Sequence, residues 1–87
     1  MNDYLILFDN MLGVVAMRKH LTAEGCPFTV TDIPSSLGKA CGLGIRLNTD
    51  AGMLSGLRTR PQVSHIYLCE QDEFILITEE ALSLTHR

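Results

Sequence analysis

Five consecutive residues, Tyr4-Leu5-Ile6-Leu7-Phe8, restrict the fold of this chain more than any other feature. Side chains of a strand alternate between two faces, so a run apolar at both parities needs cover on both. That places this strand inside a sheet. The 87 residues supply one small domain. A domain of this size buries only about 60% of the surface its unfolded chain exposes. Pairing with a second copy is therefore a ready source of further burial. Hydrophobic residues make up 46% of the chain, which separates it from disordered sequences.

After the strand, Asp9 and Asn10 offer an N-cap, and a helix is expected to run to about Glu24. Leu12, Val15, Ala16 and Leu21 recur at helical spacing as its apolar stripe, with Met11 and Met17 alongside as core filler. Arg18, Lys19 and Glu24 then face water, and Gly25 stops the helix. Residues 27 to 32 alternate, with Phe28 and Val30 on one side and Thr29 and Thr31 on the other. One wet face and a leading proline suit an edge strand.

A loop punctuated by Pro34, Ser35, Ser36 and Gly38 leads into a strand at residues 42 to 47. Asn48, Thr49 and Asp50 form a second cap region. The next helix is expected to run to about Thr59 with Met53, Leu54 and Leu57 as its stripe. Gly52 and Gly56 each weaken it by up to about 1 kcal/mol relative to Ala, a cost that close packing on the sheet would offset. Arg58 and Arg60 suit the end of that helix, and Pro61 terminates it. Residues 64 to 69 read as a fourth strand, Phe74 to Ile77 as a fifth, and residues 78 to 84 as a capped helical turn.

The order β-α-β-β-α-β matches the α+β split βαβ, or ferredoxin-like, pattern. On this reading residues 1–70 form a ferredoxin-like α/β sandwich and residues 71–87 a C-terminal extension. The first and third strands are central, and both helices cover one face. The tail run Phe74 to Ile77, or a second subunit, is expected to cover the other.

The net charge is −3 and the basic residues are scattered, which argues against nucleic-acid binding. Apolar runs are too short for a membrane span, and Met-Asn-Asp-Tyr lacks the basic start of a signal peptide. The three cysteines are separated by 15 and 28 residues. That spacing suits neither a disulfide framework nor a Cys-x-x-Cys motif, so free thiols in a reducing cytoplasm are expected.

Cys41 is the leading candidate for chemistry. A nucleophilic thiol needs thiolate character, which nearby positive charge promotes. Lys39 and Arg46 lie close in sequence, and the backbone N–H groups around Gly42 are suited to an anion-binding nest. The competing reading is a small buried cysteine. Cys26 precedes Pro27, a pairing also found in TusA-type sulfur carriers, but it lacks their second proline and their helix start. Cys69 shares the parity of His65 and Tyr67 and reads as packing or as a solvent-side residue. His20 reads as a surface residue near a helix end, His65 as a ligand or base without an identified partner, and His86 as part of the tail. These Cys and His residues lack zinc-ligand spacing. The Gly38–Gly44 segment matches neither a Walker A loop nor a Rossmann fingerprint. No metal or cofactor is expected.

The opening Tyr-Leu-Ile-Leu-Phe, the Ala-Glu-Gly helix end, the Asp-Ile-Pro, and above all Ser-Ser-Leu-Gly-Lys-Ala-Cys-Gly-Leu-Gly-Ile-Arg-Leu resemble the DUF3343 family of small bacterial proteins. The resemblance covers about residues 3 to 70. Its hallmark, a Cys-Gly after a Pro- and Ser-containing loop and before a strand with a basic residue, falls on Cys41, Gly42 and Arg46. Leu37-Gly38-Lys39-Ala40 reads as an insertion before the cysteine, and the tail after Glu70 lies outside the pattern. The resemblance implies a selenium or sulfur carrier. Cys41 would hold the chalcogen as a persulfide or selenosulfide, Lys39, Gly42 and Arg46 would stabilise the anion, and donor and acceptor proteins would be its partners. The rival readings are a dimerisation or small-effector-binding module with Cys41 buried, and a metal or redox sensor. The sensor would need Cys26, Cys41 and Cys69 to converge.

Overall fold

The computed structural model describes residues 2–33, 42–60, 62–71 and 73–77. Its elements are β1 (Asn2–Phe8), α1 (Met11–Ala23), β2 (Phe28–Asp32), β3 (Leu43–Thr49), α2 (Ala51–Arg58), β4 (Val63–Glu70) and β5 (Glu73–Ile77). The strands form one antiparallel sheet in the order β2-β3-β1-β4-β5. The described residues thus form an α+β fold with a five-stranded sheet and two helices. This order differs from the expected four-stranded ferredoxin-like sheet, because β5 pairs along β4 and becomes an edge.

β1 is central, as its two-sided apolar run requires. Tyr4, Ile6 and Phe8 join Val14, Met17 and Leu21 of α1, Leu54 and Leu57 of α2, and Ile45, Leu47 and Ile66 in the main core. Leu5 and Leu7 point to the opposite face and pack with Tyr67, Ile33, Cys69 and Phe74 in a second cluster. Phe74 therefore helps to cover that face, but from an adjoining strand rather than from a segment laid across it.

Local chemistry fixes the helix ends. The Asn10 side chain accepts hydrogen bonds from the N–H groups of Leu12 and Gly13, and Asp50 accepts one from Met53 at 2.8 Å. At the end of α1 the Cys26 N–H donates to Leu21 O and the Gly25 N–H to Thr22 O. Gly25 has φ +70°. This is a Schellman ending, which needs a left-handed residue where glycine stands.

One expectation about the helices is corrected, and one question that the sequence left open is answered for Gly56. α1 buries Gly13, Val14, Met17 and Leu21. Leu12 is 69% exposed, and Met11 and Val15 are also exposed. Both sets satisfy helical spacing, and close packing decides between them. A Cβ on Gly13 would lie 2.9 Å from the Phe8 ring, so α1 presses its glycine against β1. In α2, a Cβ on Gly56 would meet no described atom within 4 Å, so tight packing does not offset the cost of that glycine. The expected helical turn at residues 78 to 84 lies outside the described residues.

Gly44 is the glycine that the sheet requires. A Cβ there would sit 2.9 Å from the Ile6 carbonyl oxygen and 3.2 Å from Leu5 Cδ1. Because the first obstacle is backbone, it does not yield by a rotamer change. Gly44→Ala is expected to lower stability by about 1–3 kcal/mol. Gly56→Ala, in open space on a helix, is expected to raise it by about 0.5–1 kcal/mol. Urea titrations of both variants check the pair, and equal midpoint shifts in the same direction would refute this account of the two glycines.

Candidate functional site

The strand directions give the sheet two chemically different ends. β2 and β3 pair as far as Asp32 and Leu43. The Ile33 N–H then donates to the Gly42 carbonyl at 3.2 Å. Both flanks of residues 34–41 are therefore tied at one point. β1 ends at the same end of the sheet with Phe8, and α1 begins there behind its Asn10 cap. The positive pole of the α1 dipole thus lies at the sheet end that carries Gly42. Gly42 is exposed, and a Cβ on it would meet no described atom within 4 Å, so its backbone is open to approach. Cys41 and Lys39 lie outside the described residues. Cys41 is bonded directly to Gly42.

Arg46 is on β3 too, but four residues further along, or about 13 Å on an extended strand. Arg46 Nη2 lies 3.7 Å from Asp3 Oδ2, with both side chains about half exposed. Asn48 Nδ2 donates to Asp3 Oδ1 at 2.9 Å. An exposed pair of this kind contributes at most about 1 kcal/mol. Its consequence is positional, since the guanidinium is drawn toward the sheet end opposite Gly42. Of the four residues that the sequence singles out, Gly42 and Arg46 are described, and the fold does not bring them together.

Arg46 instead stands beside a different thiol. Asp3 is the register partner of Cys69 on β4 and of Asn48 on β3. Asp3, Arg46, Cys69 and Phe74 line one cleft of about 330 Å³ on the face away from the helices. Burial pushes the Cys69 thiol above its ordinary pKa, Arg46 pulls it partly back, and Asp3 adds to the rise. Cys69 therefore favours the neutral thiol, the form less suited to nucleophilic attack. Sequence reasoning missed this grouping. The shared parity of Arg46 and Asn48, and of His65, Tyr67 and Cys69, was a usable signal, but only the register shows that the two rows share a face.

Cys26 packs against the main core on the helix side, with its Sγ 3.7 Å from the Pro27 carbonyl oxygen. Cys69 packs against the cluster on the other face. The sheet therefore separates Cys26 from Cys69, which opposes the sensor reading that needs them to converge. Among the described residues no group of three potential metal-ligating Cys, His, Asp or Glu side chains gathers. His20 lies in the last turn of α1, where its carbonyl accepts the Glu24 N–H. His65 Nδ1 is hydrogen-bonded to Ser64 Oγ, and its ring stacks on Tyr67 with centroids 6.3 Å apart. His86 lies outside the described residues. Among the described residues no helix is long and apolar enough to cross a membrane.

Residues 3–54 match the model of the family described as "Putative Se/S carrier protein-like", and the chain belongs to that family. The match runs from the start of β1 into α2 and includes the Cys41-Gly42 dipeptide. The chain is also 44% identical over 52 residues to the uncharacterized protein YtiA of Escherichia coli strain K12. That alignment covers 60% of this chain and 61% of YtiA, so the chain spans about three-fifths of that relative's length. No solved structure matches the chain. Cys69 lies beyond both the matched residues and α2.

The cleft makes a pH prediction. Because its pKa is raised, Cys69 is expected to alkylate more slowly than a free thiol at neutral pH and to reach half-maximal reactivity at higher pH. Arg46→Gln removes the cation that favours the thiolate, so the profile should move further up. Asp3→Asn removes the opposing anion, so it should move down. Peptide-resolved iodoacetamide labelling across pH reads both shifts, and a downward move for Arg46→Gln would contradict the assignment.

Proposed function

We propose that the protein is a small chalcogen carrier whose working thiol is Cys41. The observation that carries this reading is the family match across residues 3–54, which contains Cys41, the residue bonded to Gly42. The matched segment excludes Cys69, whose environment favours the unreactive thiol. Cys26 is turned toward the core.

In the forward step the Cys41 thiolate attacks the outer, sulfane sulfur of a donor persulfide. A new S–S bond forms at Cys41, the donor's own S–S bond breaks, and the donor leaves as a thiolate. The exchange involves no net oxidation or reduction. An acceptor nucleophile then takes the outer sulfur, and Cys41 leaves as a thiolate. The same sequence with selenium passes through a selenosulfide.

The carried group is an anion at neutral pH, and two features of the Gly42 end favour it. One is the exposed Gly42 backbone, which an anion can approach. The other is the α1 N-terminus at the same sheet end. Lys39, two residues before Cys41 in the sequence, supplies a positive charge. Arg46, paired with Asp3, belongs to the Cys69 cleft and is given no part in holding the chalcogen. Donor and acceptor are proteins that present or accept a persulfide. The chain is a group carrier and not a self-contained enzyme.

Exposure to a persulfide donor is expected to add one sulfur at Cys41, read by intact and peptide mass spectrometry. Cys41→Ser should abolish the mass shift, while Cys26→Ser and Cys69→Ser should leave it in place. Lys39→Gln should slow loading and raise the pH at which it is half-maximal. A folded protein that resists persulfidation at Cys41, or that loads at Cys69 instead, overturns the proposal.

A further inference from the structure

Among the described residues the sheet ends on one side at β2 and on the other at β5. The two edges are built differently. β2 follows Pro27 and carries Thr29, Thr31 and Asp32, polar features that discourage further pairing. β5 reads Glu-Phe-Ile-Leu-Ile. Its Ile75 is 44% exposed and its Leu76 48% exposed.

These two side chains point to opposite faces of the sheet. Ile75 is paired with Leu68, on the helix side, and Leu76 with Tyr67, on the other. A helix or loop laid on one face would cover one of them and leave the other wet. Another strand hydrogen-bonded to β5 flanks both at once, because its own side chains alternate between the same two faces. The exposure pattern thus specifies the shape of the partner: an extended segment added to the sheet edge.

We propose that this segment is β5 of a second copy, paired antiparallel about a two-fold axis through Ile75. The sequence is self-complementary in that register. Ile75 faces its own counterpart, Glu73 faces the partner's Ile77, and Phe74 faces the partner's Leu76. No like charges stand opposite one another. Phe74 already belongs to the cluster of Leu5, Leu7 and Tyr67. Pairing carries that apolar surface across the axis onto the partner's Leu76. The contact is small, since one five-residue strand buries well below the roughly 800 Å² per partner of a standard interface. The dimer is therefore reversible and dissociates on dilution. It is independent of the chemistry at Cys41.

Sedimentation velocity over a dilution series is expected to show a monomer–dimer equilibrium for the wild type. Ile75→Lys sets two ammonium groups side by side on the axis, and Ile75→Glu sets two carboxylates there. Each variant alone should be a folded monomer, with its far-UV circular dichroism unchanged. An equimolar mixture should recover the dimer, because Lys then faces Glu. Amide exchange reads the wild type without substitution: the β5 N–H groups directed away from β4 should be protected when concentrated and exchange faster on dilution. Three results would each overturn the proposal. They are a wild type monomeric at every concentration, a mixture that stays monomeric, and β5 protection that does not change with dilution.

Discussion

The structure depends on one strand being buried from both sides. β1 places Tyr4, Ile6 and Phe8 in the core under the helices, and Leu5 and Leu7 in the cluster on the opposite face. At about 25 cal/mol per Å² of apolar surface removed from water, these five side chains are a leading source of stability for so short a chain. Their demand for neighbours explains the arrangement around them. β3 and β4 flank the strand, Gly44 lets β3 close against the Ile6 carbonyl, and both helices press on one face. The second face lacks such a helical layer among the described residues. It relies on Tyr67, Ile33, Cys69 and Phe74 instead.

Because β1 is the axis, its direction also sorts the chemistry. Its C-terminal end coincides with the start of α1, the end of β2 and the beginning of β3 just after Gly42. Its N-terminal end coincides with Asp3, Arg46, Asn48 and Cys69. One end offers the exposed Gly42 backbone and the start of α1. The other gathers an ion pair around a thiol whose pKa burial raises.

Much of this was legible in the residues, and the limits were physical. Asn10, Asp50 and Gly25 announce the helix ends because capping depends on contacts within a few residues. Phe28 and Val30 against Thr29 and Thr31 announce an edge strand for the same local reason. The buried face of α1 was not legible. Leu12, Val15 and Ala16 form as good a stripe as Val14, Met17 and Leu21, and only the contact of Gly13 with Phe8 decides. The site followed the same rule. Cys41-Gly42 carries a motif of adjacent residues, whereas the Asp3–Arg46–Cys69 grouping needs a register between strands far apart in sequence. The place of β5 likewise depended on pairing rather than on its own apolar run.

The central claim is that the carrier thiol works at the Gly42 end of the sheet and that the Cys69 end stays out of the exchange. Amide chemical shifts of the thiol and persulfide forms, compared by two-dimensional nitrogen–proton NMR, test it most directly. The account predicts changes centred on Gly42 and Leu43, extending to Ile33 and the first turn of α1, with Asp3, Arg46 and Cys69 unmoved. Changes centred instead on Asp3, Arg46 and Cys69 would contradict it and would make Cys69 the carrier.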